Sequence, residues 1–98
     1  MKKDIKLTYL KSATKFLKKH KSVLTEEEAD ALVIKFIKKK VYNRDVNIDY
    51  KQMSAKISNV YRIRKADIRI ILTLQNDEII IEAIINDIGF RGDIYKAW

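Results

Sequence analysis

Three arginines fall within the thirteen-residue stretch VYRIRKADIRIIL, positions 60–72. The stretch has the alternating pattern of a β-hairpin. Arg62 and Arg64 are two apart, so they share one face of a strand. A tight turn at Ala66–Asp67 sets Arg64 opposite Arg69, Ile63 opposite Ile70 and Tyr61 opposite Leu72. Tyr61, Ile63, Ile68, Ile70 and Leu72 then form one apolar face. A slip of one residue would pair Arg69 with Ile63 and spoil both faces, so the apolar pattern selects the register. That register gathers Arg62, Arg64 and Arg69 on the opposite face. Like charges opposed across strands cost a few tenths to about 1 kcal/mol. A sheet face that accepts this cost is suited to holding an anion, and guanidinium forks match phosphate oxygens. The competing reading has the arginines pointing into water and pairing with Glu82 or Asp67.

A second turn, around Asn76–Asp77, adds a third strand. It sets Leu72 opposite Ile81 and Ile70 opposite Ala83, which extends the apolar face. Glu82 and Ile84 then join the arginine face beside Arg69 and Ile71. Glu82 is accordingly read either as a candidate general base or as a neutralising partner for Arg69.

The elements that must position this face follow from periodicity. Ile5, Leu7 and Tyr9 alternate in a first strand. Leu10, Ala13, Phe16 and Leu17 follow helical spacing, which predicts a helix over about 11–21, with His20 at its edge. Thr25 and Glu28 form a capping box. Ala29, Leu32, Val33, Phe36 and Ile37 are the apolar stripe of a second helix, whose acidic start and basic end complement its dipole. Residues 42–57 lack a clean period and read as a long connection with short strand or turn pieces. From 58 onward the pattern is β, roughly 58–65, 67–75 and 78–86, with a terminal piece near 91–96. The order β-α-α-β-β-β predicts an α+β fold, a largely antiparallel sheet covered on one face by two helices.

Length and composition narrow the classes. Ninety-eight residues predict one domain spanning 1–98. No apolar run approaches a membrane span of roughly 18 residues or more, and no apolar stretch follows the basic start MKKDIKLTYL as in a secretory signal. No membrane partner and a cytoplasmic location are expected. Cysteine is absent and histidine occurs once, at His20. Neither a disulfide framework nor a thiolate metal site is available, so no metal and no cofactor are expected. The net charge is +8. Residues 1–65 hold eighteen basic and seven acidic side chains, and residues 66–98 hold three and six. Such a chain attracts polyanions through a field that salt weakens. A lysine-rich solvated surface gives the same totals.

The stretch NVYRIRKADIRIILTLQNDEIIIEAIINDIGFRGDIY resembles the RelE/ParE superfamily of small toxins from toxin–antitoxin pairs. Its elements here are Tyr61-Arg62-Ile63-Arg64, Asp67-Ile68-Arg69, Glu78 to Ile85, Gly89-Phe90-Arg91 and Asp93-Ile94-Tyr95. The resemblance covers the whole chain in order and length, and its specific part is the last 40 or so residues. Ala66 stands where the family often has Gly, Ile68 where it has an aromatic residue, and Gly92 where another basic residue is common. The resemblance implies a RelE-like domain, a cognate antitoxin, and cleavage of messenger RNA in the ribosomal decoding site without a metal ion. The matched site positions are Arg62, Arg64, Arg69, Arg91 and Tyr95. ParE-like relatives share the fold and act on DNA gyrase.

Metal-free RNA cleavage needs a base for the ribose 2′-hydroxyl, charge stabilisation at phosphorus and a proton for the leaving 5′-oxygen. Tyrosine is a poor base at its ordinary pKa of about 10, but neighbouring cations favour the phenolate. Tyr95 is therefore assigned as general base, with Glu82 the rival. Arg69 and Arg91 are assigned to the phosphate oxygens, and Arg62 and Arg64 to positioning the backbone. Lys65 and the helix lysines Lys11, Lys15, Lys18 and Lys19 are candidate RNA contacts, and Trp98 a candidate stacking platform. The solvated-lysine reading applies to each of these lysines. Two alternatives stand beside the nuclease: a ParE-like gyrase inhibitor, and a catalytically inactive nucleic-acid-binding protein of the same fold.

Overall fold

The structure is a computed structural model that describes residues 3–54 and 57–94. It contains β1 (Asp4–Tyr9), α1 (Lys11–Lys19), α2 (Glu26–Lys40), β2 (Asp49–Ser54), β3 (Ile57–Lys65), β4 (Ile68–Asn76), β5 (Ile80–Phe90) and α3 (Arg91–Ile94). The strands form one sheet in the order β1-β5-β4-β3-β2. Only the β1–β5 pair is parallel, so the fold is α+β with a mainly antiparallel sheet.

Both long helices lie on one face of that sheet. Ala13, Phe16 and Leu17 of α1 and Ala29, Leu32, Val33, Phe36 and Ile37 of α2 pack in one cluster with Tyr61, Ile63, Ile70, Leu72, Ile81, Ala83 and Ile85. These are the residues that the 3.6 and 2.0 periods single out. The capping box of α2 is formed in both directions: Thr25 Oγ1 accepts from the Glu28 amide at 3.1 Å, and Glu28 Oε1 accepts from the Thr25 amide at 3.0 Å.

Three parts of the sequence reading change. First, the connection after α2 contains a full strand. Val46 and Tyr50 pack against the core, and Ile48 is buried in it. Tyr50 sits 5.0 Å from the Phe36 ring, which lies 5.1 Å from Tyr61. β2 pairs with β3 and forms the edge of the sheet opposite β1.

Second, the β4–β5 turn lies two residues later than the pattern suggests. Leu72 faces Ile85, not Ile81, while Leu74 faces Ala83 and Asn76 faces Ile81. An even shift leaves every side chain on its own face, so alternation cannot choose between the two registers. The ladder also contains a bulge between the Ile71–Asp87 and Leu72–Ile85 pairs. Asn86 is the extra residue, and its Oδ1 accepts from Thr73 Oγ1 at 2.9 Å.

Third, residues 91–94 are a helical turn, not a strand. It folds over the sheet face that α1 and α2 leave open, where buried Ile94 clusters with Val60, Ile71 and Met53. Gly89 permits this: a Cβ there would lie 3.0 Å from Ile94 Cδ1 and 3.3 Å from Ile94 Cβ. The rest of the expected terminal strand lies outside the described residues. Among the described residues, no helix is long and apolar enough to cross a membrane.

Candidate functional site

The β3–β4 hairpin has the register its apolar residues require: Arg64 faces Arg69, Ile63 faces Ile70 and Tyr61 faces Leu72. Arg62, Arg64 and Arg69 therefore share the face opposite α1 and α2. Nearby on that face, Ile94 rests on Val60 and Ile71.

The opposed arginines are held by different acceptors. Arg69 is buried, at 5% exposure, and its Nη1 donates to the Ala66 carbonyl at 2.7 Å and the Ile68 carbonyl at 3.0 Å. Its guanidinium thus braces the turn. Its Nε is buried with no hydrogen-bond acceptor among the described residues. The turn is unusual at Ala66, which has φ 50, in the left-handed region that favours glycine. The Asp67 carbonyl accepts from the Arg91 amide at 2.7 Å, which ties the start of α3 to the same turn. Arg91 itself is exposed. Arg69 faces Gly89, two residues before Arg91, so Arg64, Arg69 and Arg91 gather at one end of the sheet.

Arg62 and Arg64 are held from the other side by Asp49 of β2. Asp49 Oδ2 lies 2.5 Å from Arg64 Nε, and Oδ1 lies 3.4 Å from Arg62 Nη2. Asp49 is directly opposite Arg64 in the ladder. The Arg62 side chain is 11% exposed, whereas those of Arg64 and Asp49 are 54% and 42% exposed. Sequence reasoning missed Asp49 because it missed β2, although Val46, Ile48 and Tyr50 alternate as a strand does.

Glu82 is not part of this arrangement. It lies on the arginine face but pairs with Lys6 of β1 and Gln75 of β4, whereas Arg69 faces Gly89, seven residues further along β5. Its Oε2 accepts from Thr8 Oγ1 at 2.8 Å and lies 3.9 Å from Lys6 Nζ. The later turn moves Glu82 away from Arg69, and its carboxylate meets Thr8 and Lys6 of β1 instead. Asp67 likewise contributes a backbone carbonyl rather than a neutralising carboxylate. Among the described residues, the carboxylate that meets Arg62 and Arg64 is Asp49 of β2.

The expected lysine contacts are scattered. Lys65 is exposed and borders a hollow with Glu28, Leu32 and Lys35, on the α2 side. Lys11, Lys15, Lys18 and Lys19 are exposed on α1. Lys18 shares a cavity of about 500 Å³ with Tyr9, Lys21, Glu26 and Glu27, between the helices. Ser12 of α1 donates from its Oγ to Asp87 Oδ1 at 2.6 Å, and Asp87 stands opposite Ile71 in the β4–β5 ladder. His20 ends α1 as expected, with its ring 4.6 Å from Phe16 and 5.0 Å from Phe90. Tyr95 and Trp98 lie outside the described residues.

No protein-family model matches the chain, and no curated protein matches it in sequence. Solved structures do. The YoeB/ParE toxin from Agrobacterium tumefaciens superposes with a TM-score of 0.59 at 9% identity, covering 87% of this chain and 97% of that one. A copper-bound mutant toxin from Helicobacter pylori gives 0.59 at 17% identity, covering 91% and 97%. The toxin–antitoxin complex RelB–RelE from Methanococcus jannaschii gives 0.54 at 21% identity, covering 93% and 98%. At these identities the likeness is one of fold, and the chain shares a RelE-like fold with these structures.

Proposed function

We propose that this protein is the toxin of a toxin–antitoxin pair and an endoribonuclease that cuts messenger RNA on the ribosome without a metal ion. The observation that carries this reading is the gathering of Arg62, Arg64, Arg69 and Arg91 about one hairpin end of a RelE-like scaffold. The Methanococcus neighbour is a complex with an antitoxin, which supports a cognate antitoxin here.

In the proposed reaction the 2′-oxygen of a ribose attacks the adjacent phosphorus. The 2′-O–P bond forms and the P–O5′ bond breaks, and the leaving 5′-oxygen takes a proton from water, giving a 2′,3′-cyclic phosphate and a 5′-hydroxyl. Tyr95 takes the 2′-proton as general base. It directly follows Ile94, whose place on the arginine face supports that role. Exposed Arg64 and Arg91 bind the phosphate oxygens as charge accumulates, and Arg62 fixes the position of the backbone. Arg69 is buried and anchored through Nη1 on the Ala66 and Ile68 carbonyls, so it holds the turn and adds a fixed positive charge behind the phosphate. Lys11, Lys15 and Lys19 on α1 dock ribosomal RNA, and Trp98 stacks on a base of the message. The ribosome orients the substrate, because positioning is a large share of the barrier.

Inducing the protein in bacteria tests the reading. Translation should stop, with messages cut inside their coding regions. Arrest of DNA replication with messages left intact would assign the protein to gyrase instead.

A further inference from the structure

We propose that Asp49 is a resident counter-ion that sets how tightly the Arg62–Arg64 pair holds phosphate, and that a bound phosphate takes Arg64 away from it. The inference rests on the reading that this face receives a phosphodiester.

A carboxylate and a phosphate offer guanidinium groups the same thing, paired oxygens at hydrogen-bond distance. Asp49 uses both of its oxygens, one on each arginine. It thus occupies the place a phosphate would take between two arginines separated by one residue on β3. The two contacts are unequal. Arg62 is largely buried and its contact is long, at 3.4 Å. Arg64 is more than half exposed and its contact is short. An ion pair this exposed opens readily, because water and salt compete for both partners. When it opens, Arg64 swings to the guest while Arg62 stays fixed by its surroundings.

Position in the sheet makes the exchange feasible. Asp49 begins β2, the edge strand, and the β2–β3 ladder is already irregular between Gln52 and Ser54. Moving the Asp49 side chain aside breaks no ladder hydrogen bond. The device also solves a folding problem. Arg64 is directly opposite Arg69 on one side and Asp49 on the other. Without a guest, the carboxylate offsets the repulsion that would otherwise accumulate on this face. Asp49 is therefore a positioning residue that tunes affinity.

The experiment measures binding of inorganic pyrophosphate, and separately of a 2′-O-methyl RNA oligonucleotide that cannot be cut, over a range of salt. Asp49→Asn keeps the size of the side chain and removes its charge. It should bind pyrophosphate about 5- to 10-fold more tightly than the wild type. For the oligonucleotide, the slope of log K against log salt should steepen by about 0.7 for each additional phosphate contact. Asp49→Glu, which restores the charge, should return both quantities toward the wild type. Glu78→Gln, the same charge change at the exposed β4–β5 turn, should leave both close to the wild type. Equal pyrophosphate affinity for Asp49→Asn and the wild type would overturn the inference, as would an equal gain in Glu78→Gln. The oligonucleotide separates this from the broader reading. If pyrophosphate tightens as stated but neither protein binds RNA, Asp49 keeps its role and the RNA assignment fails.

Discussion

Arg64 and Arg69 stand directly opposite each other in the β3–β4 ladder, and their guanidinium groups bond in opposite directions. Arg64 turns outward to Asp49, and Arg69 turns into the hairpin's own carbonyls. The pair thus separates an exposed cation held by a carboxylate from a buried one held by backbone carbonyls.

That division predicts different consequences for the two turn-end arginines. Arg69→Ala should lower stability by roughly 2–3 kcal/mol, because it leaves the turn carbonyls short of a donor and a hole where a buried side chain was. Arg91→Ala removes an exposed side chain and should change stability by less than about 0.5 kcal/mol. Both should relieve toxicity. Urea unfolding of the two variants, beside growth assays, checks the contrast. A destabilising Arg91→Ala would mean that Arg91 has a structural task as well.

The turn itself offers a gain. Ala66 occupies the left-handed region at φ 50, which costs a residue with a Cβ about 1 kcal/mol or more relative to glycine. Ala66→Gly should therefore raise the unfolding free energy by roughly 0.5–1 kcal/mol, after glycine's greater unfolded-state freedom is subtracted. Thermal denaturation measures it. A loss of stability would show that the alanine methyl contributes packing worth more than the strain.

Gly89 controls how α3 closes over the sheet. Gly89→Ala brings a methyl to within 3.0 Å of Ile94 Cδ1, so the Ile94 side chain on α3 must give way by a few tenths of an ångström. RNA cleavage should fall at least 10-fold with only modest loss of stability. Ile94→Val, which deletes Cδ1, should restore part of that activity when combined with Gly89→Ala. Cleavage rates of the single and double variants decide the matter, and simple additivity would sink it.

Tyr9 gives the fold an alkaline limit. Its hydroxyl donates to Asp30 Oδ1 at 2.6 Å. Burial, then the hydrogen bond and charge of Asp30, then Glu26, hold its phenol well above the ordinary tyrosine range. The folded pKa exceeds the unfolded value of about 10. The stabilisation is therefore complete below about pH 10 and is lost as pH rises beyond it. Tyr9→Phe should cost about 1 kcal/mol at neutral pH through the lost hydrogen bond. Above pH 10 the gap between variant and wild type should narrow. Unfolding curves at pH 7, 9, 10 and 11 would show it, and a constant gap would contradict it.

Much of the fold was legible where a local signal stood alone. The capping box and apolar stripe placed α2, and a two-residue turn flanked by alternating isoleucines placed the β3–β4 register. Legibility failed where two solutions satisfy the same pattern. The β4–β5 turn could shift by two residues without changing any face, and only that shift separates Glu82 from Arg69. It failed again where the partner is distant in sequence. Asp49 pairs with Arg64 across fifteen positions, through a strand whose few apolar residues looked like a connection. α3 is too short for a period to declare itself, and its burial depends on the missing side chain at Gly89.

The most direct measurement uses purified ribosomes carrying a defined message with a single 2′-deoxynucleotide on the 5′ side of the scissile phosphate. The all-ribose message should be cleaved, with a 2′,3′-cyclic phosphate at the new end. No cleavage should occur at the substituted position, and Arg64→Ala and Tyr95→Phe should cleave the all-ribose message far more slowly. Cleavage that persists at the deoxy position, or an all-ribose message left whole by the wild-type protein, would contradict the proposed reaction.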